Sequence, residues 1–224
     1  NTGYVSMGNP ENLNFGTDPF SLEVWFRLGL RGRGIPPGNI IRKSNYPVEG
    51  PGYGYWLKAG GDNRILEFYA GETAGIPGEP RGRVATTIDT DTWYHAVATK
   101  DSAGRMELYL NGELKGAAEA PGANTTSGAP FTLGAWADRF GVTETFFGVI
   151  GEVSVYSRAL DSSEIESLYD EGEEDFELYR TIEPYIKRGE TPGRCTSVRE
   201  CRSYCDLEEN FDECFDFAVK AGLI

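Results

Sequence analysis

The chain has 224 residues, 39% of them hydrophobic and 12% aromatic, with 29 glycines and a net charge of −14. That length buries enough surface for one large β-sandwich and a small appendage, with no metal or cross-link needed to hold the main core. The acidity, with no Lys/Arg cluster, excludes a phosphate backbone as partner, and no apolar run approaches the ~20 residues of a membrane-spanning helix.

Over residues 1–157 the hydrophobic period is two. Phe20, Leu22, Val24, Phe26 and Leu28 alternate with Ser21, Glu23, Trp25 and Arg27, which predicts a strand with one face in a core. Met106, Leu108 and Leu110 alternate with Glu107 and Tyr109 in the same way. Asn111-Gly112 then predicts a two-residue hairpin turn, because both residues tolerate positive φ. Further strands are expected at 3–7, 38–44, 53–59, 64–70, 83–88, 93–100, 113–118, 129–134 and 147–157. Short strands at this spacing indicate a two-sheet antiparallel jelly-roll sandwich. Two Gly/Pro-rich stretches, Leu30–Asn39 and Gly71–Arg83, read as long loops of the kind that carry binding function or simply turn the chain.

After Leu160 the period changes. Asp161-Ser162-Ser163-Glu164 carries an N-cap signature, and Ile165, Leu168 and Tyr169 share one helical face. Residues 172–175 read as an acidic break, and 176–187 as a second helical stretch or packed linker. The expected domains are a jelly roll over 1–170, a linker or packed helical segment over 171–193, and a helical hairpin over 194–224. In that hairpin Ser197-Val198-Arg199-Glu200 is a capping box and Asn210 a second cap.

All four cysteines, Cys195, Cys201, Cys205 and Cys214, lie in this last segment. An even number in one small segment reads as a disulfide framework in an oxidising compartment, and the spacing lacks the Cys-x-x-Cys knuckles of zinc sites. Two connectivities are open. A symmetric hairpin pairs Cys201 with Cys214 and Cys195 with Cys205; pairing Cys195 with Cys201 and Cys205 with Cys214 keeps both links short and is preferred.

The phrases Thr92-Trp93-Tyr94-His95-Ala96-Val97, Glu107-Leu108-Tyr109-Leu110-Asn111-Gly112, and Gly151-Glu152-Val153-Ser154-Val155-Tyr156-Ser157-Arg158-Ala159-Leu160, in that order, resemble the laminin-G-like, concanavalin-A-like jelly roll. The resemblance covers residues 1–170. It implies a first strand preceding Gly3-Tyr4-Val5-Ser6-Met7 for which this sequence offers no match, so the sheet edge is expected to be completed by another segment or subunit. It implies a structural calcium, for which Glu152 and Asp138 are the candidate ligands. It also implies that His95 is a buried structural residue.

Glycosidases need paired carboxylates, and the strand around Glu152 offers one acid. Glu23 and Glu107 share the face opposite the core, a remote basis for a hydrolase. The reading is a non-catalytic, extracellular domain for adhesion or carbohydrate recognition, with a structural subunit of a surface assembly as the alternative. Its partner is a carbohydrate, a cell-surface protein or copies of itself. Sugars stack on exposed aromatic rings beside hydrogen-bonding groups. The candidate ligand-binding residues are therefore Trp25, Glu23, Arg27, Tyr109, Glu107 and Tyr156 on the non-core face, with Trp136 and Phe140 in a loop beside it. Asn124 in Asn124-Thr125-Thr126 is a candidate glycosylation site.

Overall fold

A computed structural model describes residues 3–30, 37–45, 53–72, 82–138 and 141–224. Its strands are β1 (Val5–Ser6), β2 (Phe20–Leu28), β3 (Gly38–Ser44), β4 (Tyr53–Gly60), β5 (Ile65–Glu72), β6 (Arg83–Thr87), β7 (Trp93–Lys100), β8 (Arg105–Leu110), β9 (Glu113–Glu119), β10 (Thr132–Leu133), β11 (Trp136–Asp138), β12 (Gly141–Thr143) and β13 (Gly148–Tyr156). The α-helices are α1 (Ser162–Arg188), α2 (Val198–Cys205) and α3 (Phe211–Ala221). The chain divides into two compact units, Asn1–Glu166 and Ser167–Ile224.

The first unit is a sandwich of two antiparallel sheets, as the alternation predicts. One sheet has six strands in the order β1-β10-β3-β4-β5-β6, the other five in the order β13-β2-β7-β8-β9; β11 and β12 form a separate hairpin. The core lies between them, and Phe20, Leu22, Val24 and Phe26 of β2 meet Tyr55, Leu57, Leu66 and Phe68 of the opposite sheet there, all fully buried. Each such side chain contributes roughly 1.5–3 kcal/mol. Asn111 and Gly112 both adopt positive φ, +52° and +76°, and close the β8–β9 hairpin as expected.

Two lysines point inward against the usual pattern. Lys43 of β3 is fully buried and donates to Asn9 Oδ1 (2.5 Å), Ser127 O (2.8 Å) and Ala129 O (3.1 Å). Burial pushes it down to about 8, so it is still an ammonium at neutral pH and meets three acceptors with three donors. Lys100 of β7 donates to Thr17 O (2.9 Å) and Asp18 O (3.3 Å). One lysine from each sheet thus fastens residues 9–18 and 127–129 to the sandwich, and Thr125 adds a hydroxyl bond to Gly16 O.

The expected strand at 3–7 shortens to Val5–Ser6, and that at 129–134 to Thr132–Leu133. The helical region needs a larger correction. Asp161 caps α1 as its sequence predicts: Asp161 Oδ1 accepts from Ser163 N and Glu164 N, and Glu164 Oε2 accepts from Asp161 N. The helix then runs unbroken through the acidic stretch 172–175, where the sequence predicts a break, to Arg188, so 176–187 takes the helical of its two expected forms. Glutamates are good helix formers, and Tyr169–Glu173 and Tyr179–Glu183 bonds at i,i+4 spacing add support.

The second unit has a small core of Ile182, Cys195, Val198 and Cys201. The disulfides are Cys195–Cys201 and Cys205–Cys214, the short pairing. Ser197 caps α2 through Glu200 N, while Asn210, which precedes α3, instead donates from its side chain to Tyr204 O.

All four tryptophans lie in the first unit, so their fluorescence reports the sandwich alone. Closing loops this short is worth roughly 2–3 kcal/mol per disulfide. Reduction is therefore expected to lower the thermal midpoint of the far-UV helical signal and to leave the tryptophan transition where it was. Coincident shifts of both signals would contradict this.

Candidate functional site

The outward face of the five-stranded sheet gathers most of the nominated residues, and their polar groups bond largely to one another. Glu23 of β2 is its centre. His95 Nε2 lies 3.0 Å from Glu23 Oε1, and Tyr156 Oη donates to Glu23 Oε2 at 2.6 Å. His95 is fully buried, with its ring centroid 5.1 Å from that of Trp25. Burial alone would raise the Glu23 pKa, but hydrogen bonds from His95, Tyr156 and Ser154 outweigh it and hold the carboxyl below its ordinary range. Burial and the same Glu23 push Tyr156 up to about 12.

The neighbours on this face are engaged in the same way. Tyr109, buried, donates to Glu107 at 2.8 Å, and Arg105 also binds Glu107. Arg27 pairs with Asp91 at 3.0 Å and lies over the Trp93 ring. Ser21 donates to Arg158 O and accepts from Leu160 N, so the chain leaving β13 crosses this face; Leu160 and Ile165 are buried. Glu23 and Glu107 thus share a face but spend their oxygens on internal partners.

Trp136 lies apart from this group, on the outward side of the six-stranded sheet. Tyr55, Leu57, Leu66 and Phe68 point into the core, so Trp56, Lys58, Glu67 and Tyr69 point out. Arg42 of β3 lies between two indoles, its Cζ 5.2 Å from the Trp56 ring and 4.3 Å from that of Trp136. Trp56 stacks on Tyr69 with centroids 3.9 Å apart. Glu67 accepts from Trp56 Nε1 (3.0 Å) and pairs with Arg83 (2.5 Å) and Lys58 (3.5 Å). Burial opposes ionisation of Glu67, yet Lys58, Trp56 and Arg83 together hold its pKa down.

Glu144 completes this cluster. It accepts from Asn39 Nδ2 at 2.8 Å and lies 3.7 Å from Arg42 Nη1. Its φ is +42°, a costly conformation for glutamate, fixed by a bond from Asn39 N to Glu144 O. Gly38 permits the close approach: a Cβ there would lie 2.4 Å from Thr145 O and Phe146 Cα. Arg42, Trp56 and Tyr69 are buried, Trp136 is half-buried, and the Glu144 side chain keeps 35% of its surface. The arrangement therefore offers a half-buried indole and a partly exposed carboxylate that share the Arg42 guanidinium.

Arg42, Trp56, Tyr69, Glu67 and Glu144 were not among the sequence candidates. A signal existed: Trp56 and Lys58 alternate with Tyr55 and Leu57, and Glu67 and Tyr69 with Leu66 and Phe68. Phe140 and the side chain of Asp138 lie outside the described residues, as does most of both Gly/Pro-rich loops. Glu152 is exposed in a bulge of β13 between Ile150 and Val153. Among the described residues no group of three or more His, Cys, Asp or Glu side chains converges on a metal position, and calcium at Glu152 and Asp138 stays an expectation of the resemblance. Asn124 is exposed, and its Oδ1 accepts from Thr126 N.

Because the folded Glu23 carboxyl is more acidic than an unfolded one, its contribution is present at neutral pH. It is lost as pH falls from the ordinary value of 4.5 through the folded one. Glu23→Gln is expected to lower stability at pH 7 and to flatten the acid limb of a denaturant-midpoint-versus-pH curve. A variant curve parallel to the wild type would remove Glu23 from this role.

Comparison with solved structures gives the same architecture. The chain is similar to the binding domain of botulinum neurotoxin DC in complex with rat synaptotagmin II, with TM-score 0.56 and 17% identity over 75% of this chain and 40% of that one. The same toxin's binding domain in complex with SialylT matches with TM-score 0.52 and 18% identity, over 69% of this chain and 36% of that one. A protein from Bacteroides ovatus ATCC 8483, provisionally assigned to carbohydrate binding, matches with TM-score 0.53 and 21% identity, over 73% and 43%. The chain thus spans about two fifths of the length of these structures. A search of curated proteins found no match. A family model, described as the concanavalin A-like lectin/glucanases superfamily, matches residues 1–166. With that match across the whole sandwich, the chain belongs to the concanavalin A-like lectin/glucanase superfamily.

Proposed function

We propose that the chain is a non-catalytic recognition domain that acts outside the cell and binds carbohydrate on the outward face of its six-stranded sheet. The observation that carries this reading is the half-buried Trp136 indole, which shares the Arg42 guanidinium with Glu144. An indole face attracts the C–H face of a sugar ring, and a carboxylate already fixed by Asn39 and Arg42 accepts hydroxyl donors without a new ordering cost. Glu67, Lys58 and Arg83 extend the polar rim. Structural neighbours that are toxin binding domains, or are assigned to carbohydrate binding, support a binding role over a catalytic one. The disulfides fit an oxidising compartment, and among the described residues no helix is long and apolar enough to cross a membrane.

A second reading, assembly with copies of itself or with a donated strand, rests on β13. This nine-residue strand pairs with β2 on one side only among the described residues, and Val149 is 42% exposed. Such an edge accepts an added strand.

Trp136→Ala is expected to weaken glycan binding on an array or by calorimetry at least tenfold, with the melting temperature changed little. Trp25→Ala, on the opposite sheet, is expected to leave binding intact. The reverse pattern would move the site to the five-stranded sheet, and loss in neither variant would remove the sugar reading. Light scattering separates the second reading. Large species, broken up by Val149→Lys, are expected if β13 mediates assembly, whereas a stable monomer at high concentration counts against it.

A further inference from the structure

The second unit turns an apolar stripe to solvent. Phe211, Phe215 and Val219 stand at i, i+4 and i+8 on α3, with 61%, 49% and 54% of their surfaces exposed. At that spacing they form one continuous row about two and a half turns long, and the Phe211 and Phe215 rings stack at 5.9 Å. This is not the face that α3 uses to fold. Cys214 carries the disulfide to Cys205, and Phe217 packs edge-on against Tyr185 at 5.2 Å. Leu207, half exposed, prolongs the row beyond the helix start. An open depression of roughly 500 Å³ lies at that end, lined among others by Asp206, Leu207, Glu208, Glu209, Phe211 and Asp212.

The charges around the row are nearly all of one sign. Between Cys205 and Lys220 there are six acids, Asp206, Glu208, Glu209, Asp212, Glu213 and Asp216, against the single base Lys220. Lys220 is already paired with Glu190 and lies over the Tyr185 ring. Asp212 and Asp216 run along one side of the apolar row, one position after Phe211 and Phe215. An exposed apolar row rimmed by polar groups is the mark of an interaction surface. Its sign decides the occupant. A second copy would set carboxylates against carboxylates, and an anionic membrane surface would repel the same rim.

We infer that α3 and the depression at its start form a docking surface for a basic amphipathic helical segment of another protein. The partner lays its apolar residues on Phe211, Phe215 and Val219. Its Lys or Arg side chains run their methylene stems along Leu207 and Phe211 and end among the carboxylates. The two disulfides hold this surface in shape, so little ordering accompanies binding on this side. The inference is independent of sugar recognition by the sandwich.

The test uses the intact, oxidised chain. A fluorescent Leu/Lys peptide of about five helical turns, apolar at i, i+4 spacing, is titrated by anisotropy against a scrambled peptide of the same composition. The amphipathic peptide is expected to bind at least tenfold tighter than the scrambled one. Phe215→Ala is expected to weaken it tenfold or more. The pair Asp212→Asn and Asp216→Asn is expected to weaken it several-fold and to flatten its salt dependence. Phe211→Ala repeats the test on the same row should Phe215→Ala disturb the helical signal. Equal binding of the two peptides, or full binding by both Phe variants, would overturn the proposal. So would dimerisation, or flotation with phosphatidylcholine vesicles, that Phe215→Ala abolishes, since either would assign the row to a different occupant.

Discussion

The carboxylate of Glu23 is the bond centre that joins β2 to both of its neighbours, β7 and β13. β2 buries both of its faces: Phe20, Leu22, Val24 and Phe26 fill the core, while Ser21 and Glu23 are buried on the other side. An ionised carboxylate in that position is tolerable only because His95, Tyr156 and Ser154 supply hydrogen bonds to it. Those partners come from β7 and β13, the two strands that flank β2. The network therefore ties three strands together and occupies the polar groups that a ligand on that face would need. With Ser21 also holding the chain at Arg158 and Leu160, the five-stranded sheet is committed to internal structure. On the other sheet Trp136 is half-buried and the Glu144 side chain keeps part of its surface.

Both sheets solve the problem of an outward aromatic, in different ways. Trp25 packs beside the buried His95 ring, which is itself bonded to Glu23. Trp56 and Trp136 instead hold Arg42, whose charge is offset by Glu144 and Asn39 at 3.7 and 3.4 Å. A cation between two indoles is worth about 0.5–2 kcal/mol, more where water is excluded, and it fixes the orientation of the more exposed ring. The positive φ of Glu144 has the same direction: local strain is accepted to place a carboxylate near that guanidinium.

Much of this was legible before any coordinates. Alternation identified the core faces of β2 and β8, Asn111-Gly112 identified a turn, and Asp161-x-x-Glu164 identified a helix start. The disulfide framework followed from four cysteines in one short segment. Alternation also states which residues share a face, but not what lies over that face. For that reason Glu23, Tyr109 and Tyr156 read as a possible groove, whereas the folded chain engages them internally. Trp136 reads as part of a loop near Trp25 because sequence distance carries no information on which sheet a hairpin such as β11–β12 leans against. Lys43 and Arg42 were missed for a related reason. Charged residues in a strand read as solvent-facing, and only long-range partners such as Ser127 O and Glu144 justify burying them.

The two units meet the requirement for a core by different means, and this bears on what each can present. The sandwich buries enough apolar surface to stand alone, so its outward groups are free to be specialised. The second unit buries four residues as its core, two of them cysteines. A segment with so little to bury would ordinarily turn every large apolar side chain inward, yet Phe211, Phe215 and Val219 stay out. The disulfides Cys195–Cys201 and Cys205–Cys214 make that arrangement tenable by restricting the unfolded chain, which relieves the apolar residues of α3 from holding the unit together. An apolar row released from structural duty, on a helix held by covalent links and bordered by carboxylates, has the physical character of a surface shaped for a partner rather than for its own fold.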